Sequence, residues 1–143
     1  MRGFTCGAFD LLHAGHALML EECRKYCDYL IVGLQVDPSI DRSDKNKPVQ
    51  SLDERLVMIK AIRWVDEVIQ YTTEQDLYDL LKELYQTNRV DLRIVGADWA
   101  GKKFTGHELP LDVIFNSRDH GYSTSELRRR VYEAEAKGAC VGR

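Results

Sequence analysis

The sequence is short of three things: long apolar runs, surplus positive charge and cysteine. No hydrophobic stretch in its 143 residues approaches the roughly 18 that a bilayer-crossing helix needs, so no helical membrane span is expected. Lysine and arginine number 20 against 23 acidic residues, a formal net charge of -3, which argues against a general nucleic-acid binder. The run Arg128-Arg129-Arg130 does not change this, because consecutive helical positions point in different directions, as on a solvated face. The cysteines are Cys6, Cys23, Cys27 and Cys140. Cys23 and Cys27 share a helix face, yet no second ligand pair accompanies them. They read as buried or half-buried free thiols, and a reducing cytoplasm is their natural setting. The first residues carry no charged-then-apolar leader, so no secretion signal is expected. Gly-x-Gly-x-x-Gly is missing after the first strand-like run, which disfavours a dinucleotide-binding protein.

What is present is ordinary for a globular chain. It is 44% hydrophobic and 30% charged, long enough for one domain with a core, taken as residues 1–143. Strand and helix patterns alternate along it. Gly3 to Cys6 reads as a strand. Ala17 to Cys27 reads as a helix with Glu21, Glu22, Arg24 and Lys25 outside. Asp28 to Asp37 is a nearly continuous apolar strand, as burial on both faces of a parallel sheet requires. Ser39 to Gln50 is a long polar loop, and long loops in compact domains are often functional. Ser51 and Glu54 form a capping box for a helix to Ile62. Arg63 to Ile69 passes into a third strand, and Thr73 opens a helix to about Tyr85. Leu92 to Gly96 and Asp112 to Phe115 are strands separated by an irregular loop. Ser123 and Glu126 cap a last helix, which Gly138 is placed to stop. Such alternation predicts a Rossmann-like α/β domain, a parallel sheet flanked by helices, with its ligand over the carboxyl ends of the strands beside the first.

Three separated stretches carry the chemistry. The first is Gly-Ala-Phe-Asp-Leu-Leu-His-Ala-Gly-His, residues 7 to 16, in the strand–turn–helix setting where α/β proteins hold phosphate. His13 and His16 fall on nearly one helix face, with Cβ atoms roughly 5–6 Å apart, so both imidazoles reach one small anionic group. Gly15 lets a ligand approach the backbone. The second stretch is the polar loop, with Lys45 and Lys47. The third is Arg118 to Ser125. Ser123 as a helix cap leaves free N–H groups and the positive helix end facing outwards; Ser123, Thr124 and Ser125 add hydroxyls and Arg118 a bidentate cation. A polyphosphate fits such a place.

Gly-x-Phe-Asp-Leu-Leu-His-x-Gly-His resembles the signature of the cytidylyltransferase-like nucleotidyltransferases, the glycerol-3-phosphate cytidylyltransferases above all. The resemblance implies five parallel strands in the order 3-2-1-4-5, a homodimer, and Mg²⁺ arriving with a nucleoside triphosphate. Arg118 to Ser125 resembles the stretch Arg-Thr-Glu-Gly-Ile-Ser-Thr-Thr that grips the triphosphate, although Asp119, His120 and Tyr122 depart from it. Gly96 to Lys102 resembles Gly-Asp-Asp-Trp-x-Gly-Lys, with Asp98 placed to orient a substrate or base and Trp99 to pack. Ile62 to Val68 resembles Ile-Arg-Tyr-Val-Asp-Glu-Val and brings in Arg63. By this resemblance His13, His16, Lys45 and Arg118 are catalytic. Ala8, Phe9, Asp10, Gly15, Lys47, Arg63, Asp98, Ser123 and Thr124 contact the nucleotide. Either Lys45 or Lys47 fits the catalytic lysine. No dedicated protein metal cage is visible, although Asp10 is placed to hold Mg²⁺ or to orient His13. One position departs: the substrate-binding lysine of the glycerol-3-phosphate enzymes falls near Leu77, and Thr72 to Leu80 contains no lysine.

The expected activity is transfer of CMP from CTP to an alcohol phosphate such as glycerol-3-phosphate, releasing pyrophosphate and forming a CDP-alcohol. An alternative is ATP as donor to a sugar phosphate or related acceptor, as in the sugar-phosphate and flavin adenylyltransferases that share His-x-Gly-His. A nucleotide-binding regulatory module without turnover is the reading outside the enzymes.

Overall fold

The computed structural model describes residues 1–140. In chain order the elements are β1 (Arg2–Gly7), α1 (Ala14–Arg24), β2 (Tyr29–Gln35), α2 (Leu52–Lys60), β3 (Glu67–Tyr71), α3 (Glu74–Gln86), β4 (Leu92–Val95), β5 (Asp112–Phe115) and α4 (Thr124–Cys140). The strands form one 5-stranded sheet in the order β3-β2-β1-β4-β5, with every neighbouring pair parallel. This is the expected order. The chain steps outward from β1 to β3, then crosses back to β4, so its connections diverge between β1 and β4. A crevice at the carboxyl ends of these two strands is the consequence.

Burial explains the sequence patterns. Leu30, Ile31, Val32 and Leu34 of β2 are all buried, because helices cover both faces of the sheet. On one face Leu20 and Cys23 of α1 and Ile59 of α2 pack with Leu30, Val32, Leu34, Leu92 and Ile94. On the other, Leu77, Leu81 and Leu84 of α3 pack with Phe4, Ile31, Tyr71 and Val90. Helices α2 and α3 start at complete capping boxes, Ser51 with Glu54 and Thr73 with Asp76.

Three local expectations change and one is sharpened. Within the stretch Arg63 to Ile69 that passes into the third strand, β3 begins only at Glu67, because the residues between α2 and β3 form a turn. Arg24 ties that turn down by donating to the Trp64 carbonyl and pairing with Asp66, so it is a strut rather than a solvated side chain. Glu22 likewise turns from solvent to the loop after β5, as described below. Helix α4 runs through Gly138 to Cys140. A glycine inside a helix costs only about 1 kcal/mol relative to alanine and permits a stop without forcing one. Among the described residues no helix is long and apolar enough to cross a membrane. Cys6, Cys23 and Cys27 are free thiols, and burial pushes the Cys23 thiol up to about 12, so it is inert.

Candidate active site

The site is built on two imidazoles that cap one helix. His13 is the N-cap of α1: its Nδ1 accepts the Gly15 N–H at 3.0 Å. His16 Nδ1 reaches back and accepts the His13 N–H at 3.1 Å. This is a capping box made of histidines, and it explains why α1 begins at Ala14, earlier than its apolar stripe suggests. An Nδ1 that accepts carries no proton, so both rings are neutral and hold their proton on Nε2. Burial agrees, pushing His16 down to about 4, with the neighbouring His13 adding to the effect and Asp10 opposing it. His13 is lowered too, by burial first and by His120 second. The rings lie 4.0 Å apart between centroids, so two neutral N–H donors are held side by side. His13 Nε2 meets the Thr124 hydroxyl at 3.0 Å.

Gly15 lines the crevice, and it answers a second need as well. A Cβ there would lie 2.8 Å from His13 Cε1 and 3.0 Å from His120 Cε1, so the missing side chain makes room for the rings themselves.

The preceding loop is strained. Phe9 and Leu11 both have φ of 50°, the left-handed region that non-glycine residues avoid. Two clamps hold it there. Arg55, 2% exposed, donates to the carbonyls of Ala8, Gln35, Val36 and Gln50, stitching the ends of β1 and β2 to the start of α2. Asp10 accepts from the backbone of Val49 at 2.8 Å and of Gln50 at 2.9 Å. Both carboxylate oxygens therefore hold the polar loop, and Asp10 makes no hydrogen bond to His13 while still lining the second hollow described below. Among the described residues no three His, Cys, Asp or Glu side chains converge as metal ligands. Phe9 is buried and props the His16 ring at 5.5 Å between centroids.

The third stretch arrives where expected. Ser123 Oγ accepts the Glu126 N–H and caps α4, while Glu126 itself turns to Arg129. Glu22 of α1 holds the loop before it, accepting from the Ser117 backbone at 2.8 Å and its hydroxyl at 2.6 Å. Arg118 pairs with Asp98 at 2.8 Å across an exposed gap.

These parts line three adjoining hollows. One, about 230 Å³, brings His13, Gly15, His16, Asp98, Arg118, Ser123 and Thr124 together. The second, about 330 Å³, joins it through His16 and Thr124 and adds Ala8, Phe9, Asp10, Lys45 and Arg128. The third, about 310 Å³, opens on the α3 side of the sheet and shares Ala8 and Lys45 with the second. Lys45 thus belongs to the site. Lys47 lines none of the three and stands near Asp37, whose carboxyl is held low by the Ser39 hydroxyl first and by Lys47 to a lesser degree. Arg63 is not brought in: it stacks over Trp64 at 4.4 Å, before β3 and at the opposite edge of the sheet. Trp99 does more than pack, since it lines the third hollow and carries the Arg42 guanidinium 5.6 Å from its ring centre.

Several residues of the site were not singled out in sequence. Arg128 stood in an apparently solvated basic run, yet it lies 3.9 Å from Asp10 inside the second hollow. Arg42, Arg93 and Gln35 carry no motif; only the topology shows them converging.

A helix start with paired neutral donors, a capped second helix and the cations Lys45, Arg118 and Arg128 surround a crevice at the switch point, the arrangement that suits a phosphate-binding protein. A model of the cytidylyltransferase-like family matches residues 4–130, and the chain belongs to that family. Over 133 residues it is 35% identical to the bifunctional protein HldE of Campylobacter curvus, covering 92% of this chain and 27% of that protein. The HldE protein of a Helicobacter pylori strain is 33% identical over 129 residues, again 27% of its length. The chain therefore spans about a quarter of these relatives. Among solved structures, a lipopolysaccharide core biosynthesis protein of Thermoplasma volcanium superposes with a TM-score of 0.65 at 26% identity, covering 84% of this chain and 98% of that one. A pantothenate synthetase of Thermus thermophilus shares the fold at 12% identity and a TM-score of 0.54, over 90% of this chain and 64% of that one.

Proposed function

We propose that this chain transfers an adenylyl group from ATP to a sugar phosphate, releasing pyrophosphate. The observation that carries the nucleotidyl transfer is the pair of neutral imidazoles, fixed by backbone amides with Nε2–H beside the Arg118 hollow. A phosphate oxygen of the acceptor attacks the α-phosphorus in line. The bond from that phosphorus to the bridging oxygen breaks, and pyrophosphate leaves with the electron pair. An ionised phosphate monoester needs no base, so the protein supplies position and charge. His13 and His16 donate to α-phosphate oxygens as charge gathers there. Lys45 and Arg128 flank the phosphate chain, and Arg118 and the capped start of α4 face its other side. Mg²⁺ would arrive on the triphosphate and supply further charge neutralisation.

The choice of acceptor rests on two supports. The Thermoplasma relative is named for lipopolysaccharide core biosynthesis, and a saccharide product calls for a sugar acceptor. Leu77, where the glycerol-3-phosphate enzymes have a lysine, is 2% exposed and carries no charge. ATP follows from the sugar-phosphate enzymes that share His-x-Gly-His. A second reading, CTP with glycerol-3-phosphate, draws on the Gly-x-Asp-Trp stretch around Trp99. A homodimer in a reducing cytoplasm completes the proposal. The test is pyrophosphate release with ATP or CTP, each against sugar 1-phosphates and glycerol-3-phosphate. Turnover with ATP and a sugar phosphate supports the proposal. Turnover only with CTP and glycerol-3-phosphate selects the second reading, and none with any pair rejects both.

A further inference from the structure

The α3-side hollow contains a contradiction that a ligand would resolve. Its floor is formed by Arg93 of β4 and Gln35 of β2, which are 5% and 6% exposed. The Arg93 guanidinium lies between the rings of Phe4 and Phe104, 5.7 and 5.4 Å from their centres. It donates to the Thr105 carbonyl at 2.8 Å, but its Nε–H has no partner. The Gln35 amide nitrogen is also buried without a partner. Buried donors left unpaired are costly, and a buried cation more so. Among the described residues lining the hollow the one carboxylate is Glu74; one of its oxygens meets Arg42 at 3.2 Å and the other accepts from the Thr105 hydroxyl at 2.8 Å, which leaves each oxygen a second lone pair. Arg42, Lys45 and Arg93 against Glu74 leave this hollow positive by two charges, within a chain of net charge -3.

We infer that this hollow is the acceptor site, with the acceptor's phosphate dianion between Lys45 at the rim and the Arg93–Gln35 floor, and its hydroxyls on Glu74 and Thr105. The inference rests on the proposed transfer and names the residues that select its substrate. The unpaired groups are all donors, so they call for a ligand rich in acceptor oxygens. Glu74, by contrast, offers an acceptor to hydroxyl groups, which suits a sugar better than a three-carbon chain. Its volume, about 310 Å³, is at the lower end for small-molecule sites. Leu77 lines the same hollow without charge, and Arg93 supplies the cation from the adjacent strand. The rim residues Ala8 and Lys45 belong to the triphosphate hollow as well, so a phosphate held here faces the α-phosphorus.

Isothermal titration of the full chain tests this, with mannose 1-phosphate, glycerol-3-phosphate and a non-hydrolysable ATP analogue as probes. Wild type should bind mannose 1-phosphate at least tenfold tighter than glycerol-3-phosphate. Arg93→Met and Gln35→Leu should each weaken mannose 1-phosphate at least tenfold and leave the ATP analogue within twofold. Gln35→Leu removes an unpaired buried amide, so its melting temperature should not fall, which guards against misfolding as the cause. Unchanged sugar-phosphate binding in both variants, or no sugar-phosphate binding to wild type, overturns the inference. Failure of the ATP analogue alone to bind wild type strikes the proposed transfer instead and leaves the hollow standing as a sugar-phosphate site.

Discussion

His16 Nδ1 accepts the backbone N–H of His13, and this contact fixes the proton of His16 on the nitrogen that faces the crevice. The two ring nitrogens therefore have separable duties. His16→Asn places an acceptor oxygen near Nδ1 and removes the Nε2 donor. It should melt within about 1 kcal/mol of wild type while losing roughly 10²–10³ in turnover. Pyrophosphate release and a thermal melt check this; near-normal turnover would remove His16 from the chemistry.

Acid should undo the same cap. The unfolded imidazole titrates near 6.5 and the folded His16 near 4, so between these values the unfolded chain binds the extra proton. Stability therefore rises with pH across that window and is lost as pH falls through it, by about 3 kcal/mol for this residue. Melts from pH 7 to 4 should show the loss, and His16→Asn should flatten it. Equal slopes in the two proteins would contradict the neutral-ring assignment.

Asp10 should behave as a clasp. Asp10→Asn keeps one acceptor for the Val49 and Gln50 amides and sets an NH₂ against the other. We expect a loss of about 2 kcal/mol, faster proteolysis within residues 39–50, and a raised KM for the nucleotide as Lys45 loses its place. A protease pattern like that of wild type would refute the clasp.

Gly15→Ala should separate geometry from stability. Alanine favours the helix, but its methyl would enter the space of the His13 ring. Turnover should fall at least tenfold with little change in melting temperature. Retained turnover would show that the ring has room to move.

The alternating patterns were enough to read the sheet, because each element repeats its own burial: Val32 and its neighbours in β2, Leu77, Leu81 and Leu84 in α3. The histidine turn and the Arg118 stretch were legible too, since spacing and helix starts are local properties. What stayed hidden depends on partners distant in sequence. The grip of Asp10 on the Val49 and Gln50 amides could not be read from its motif, because those partners lie about 40 residues on. Arg55 carries no motif, yet four carbonyls from separate segments surround its guanidinium. Arg63 matched a motif, but it precedes β3 and stacks over Trp64, outside the three hollows. Glu22 fell on a polar stripe whose partner, Ser117, lies 95 residues on.

The Thr124 hydroxyl occupies the very nitrogen that a phosphate would claim. An anion reaching that nitrogen competes with the hydroxyl, so filling the crevice and the contact between the first helix and the start of the last draw on one proton. A fluorophore near the start of that final helix is expected to change its emission when the crevice fills, without any product being formed.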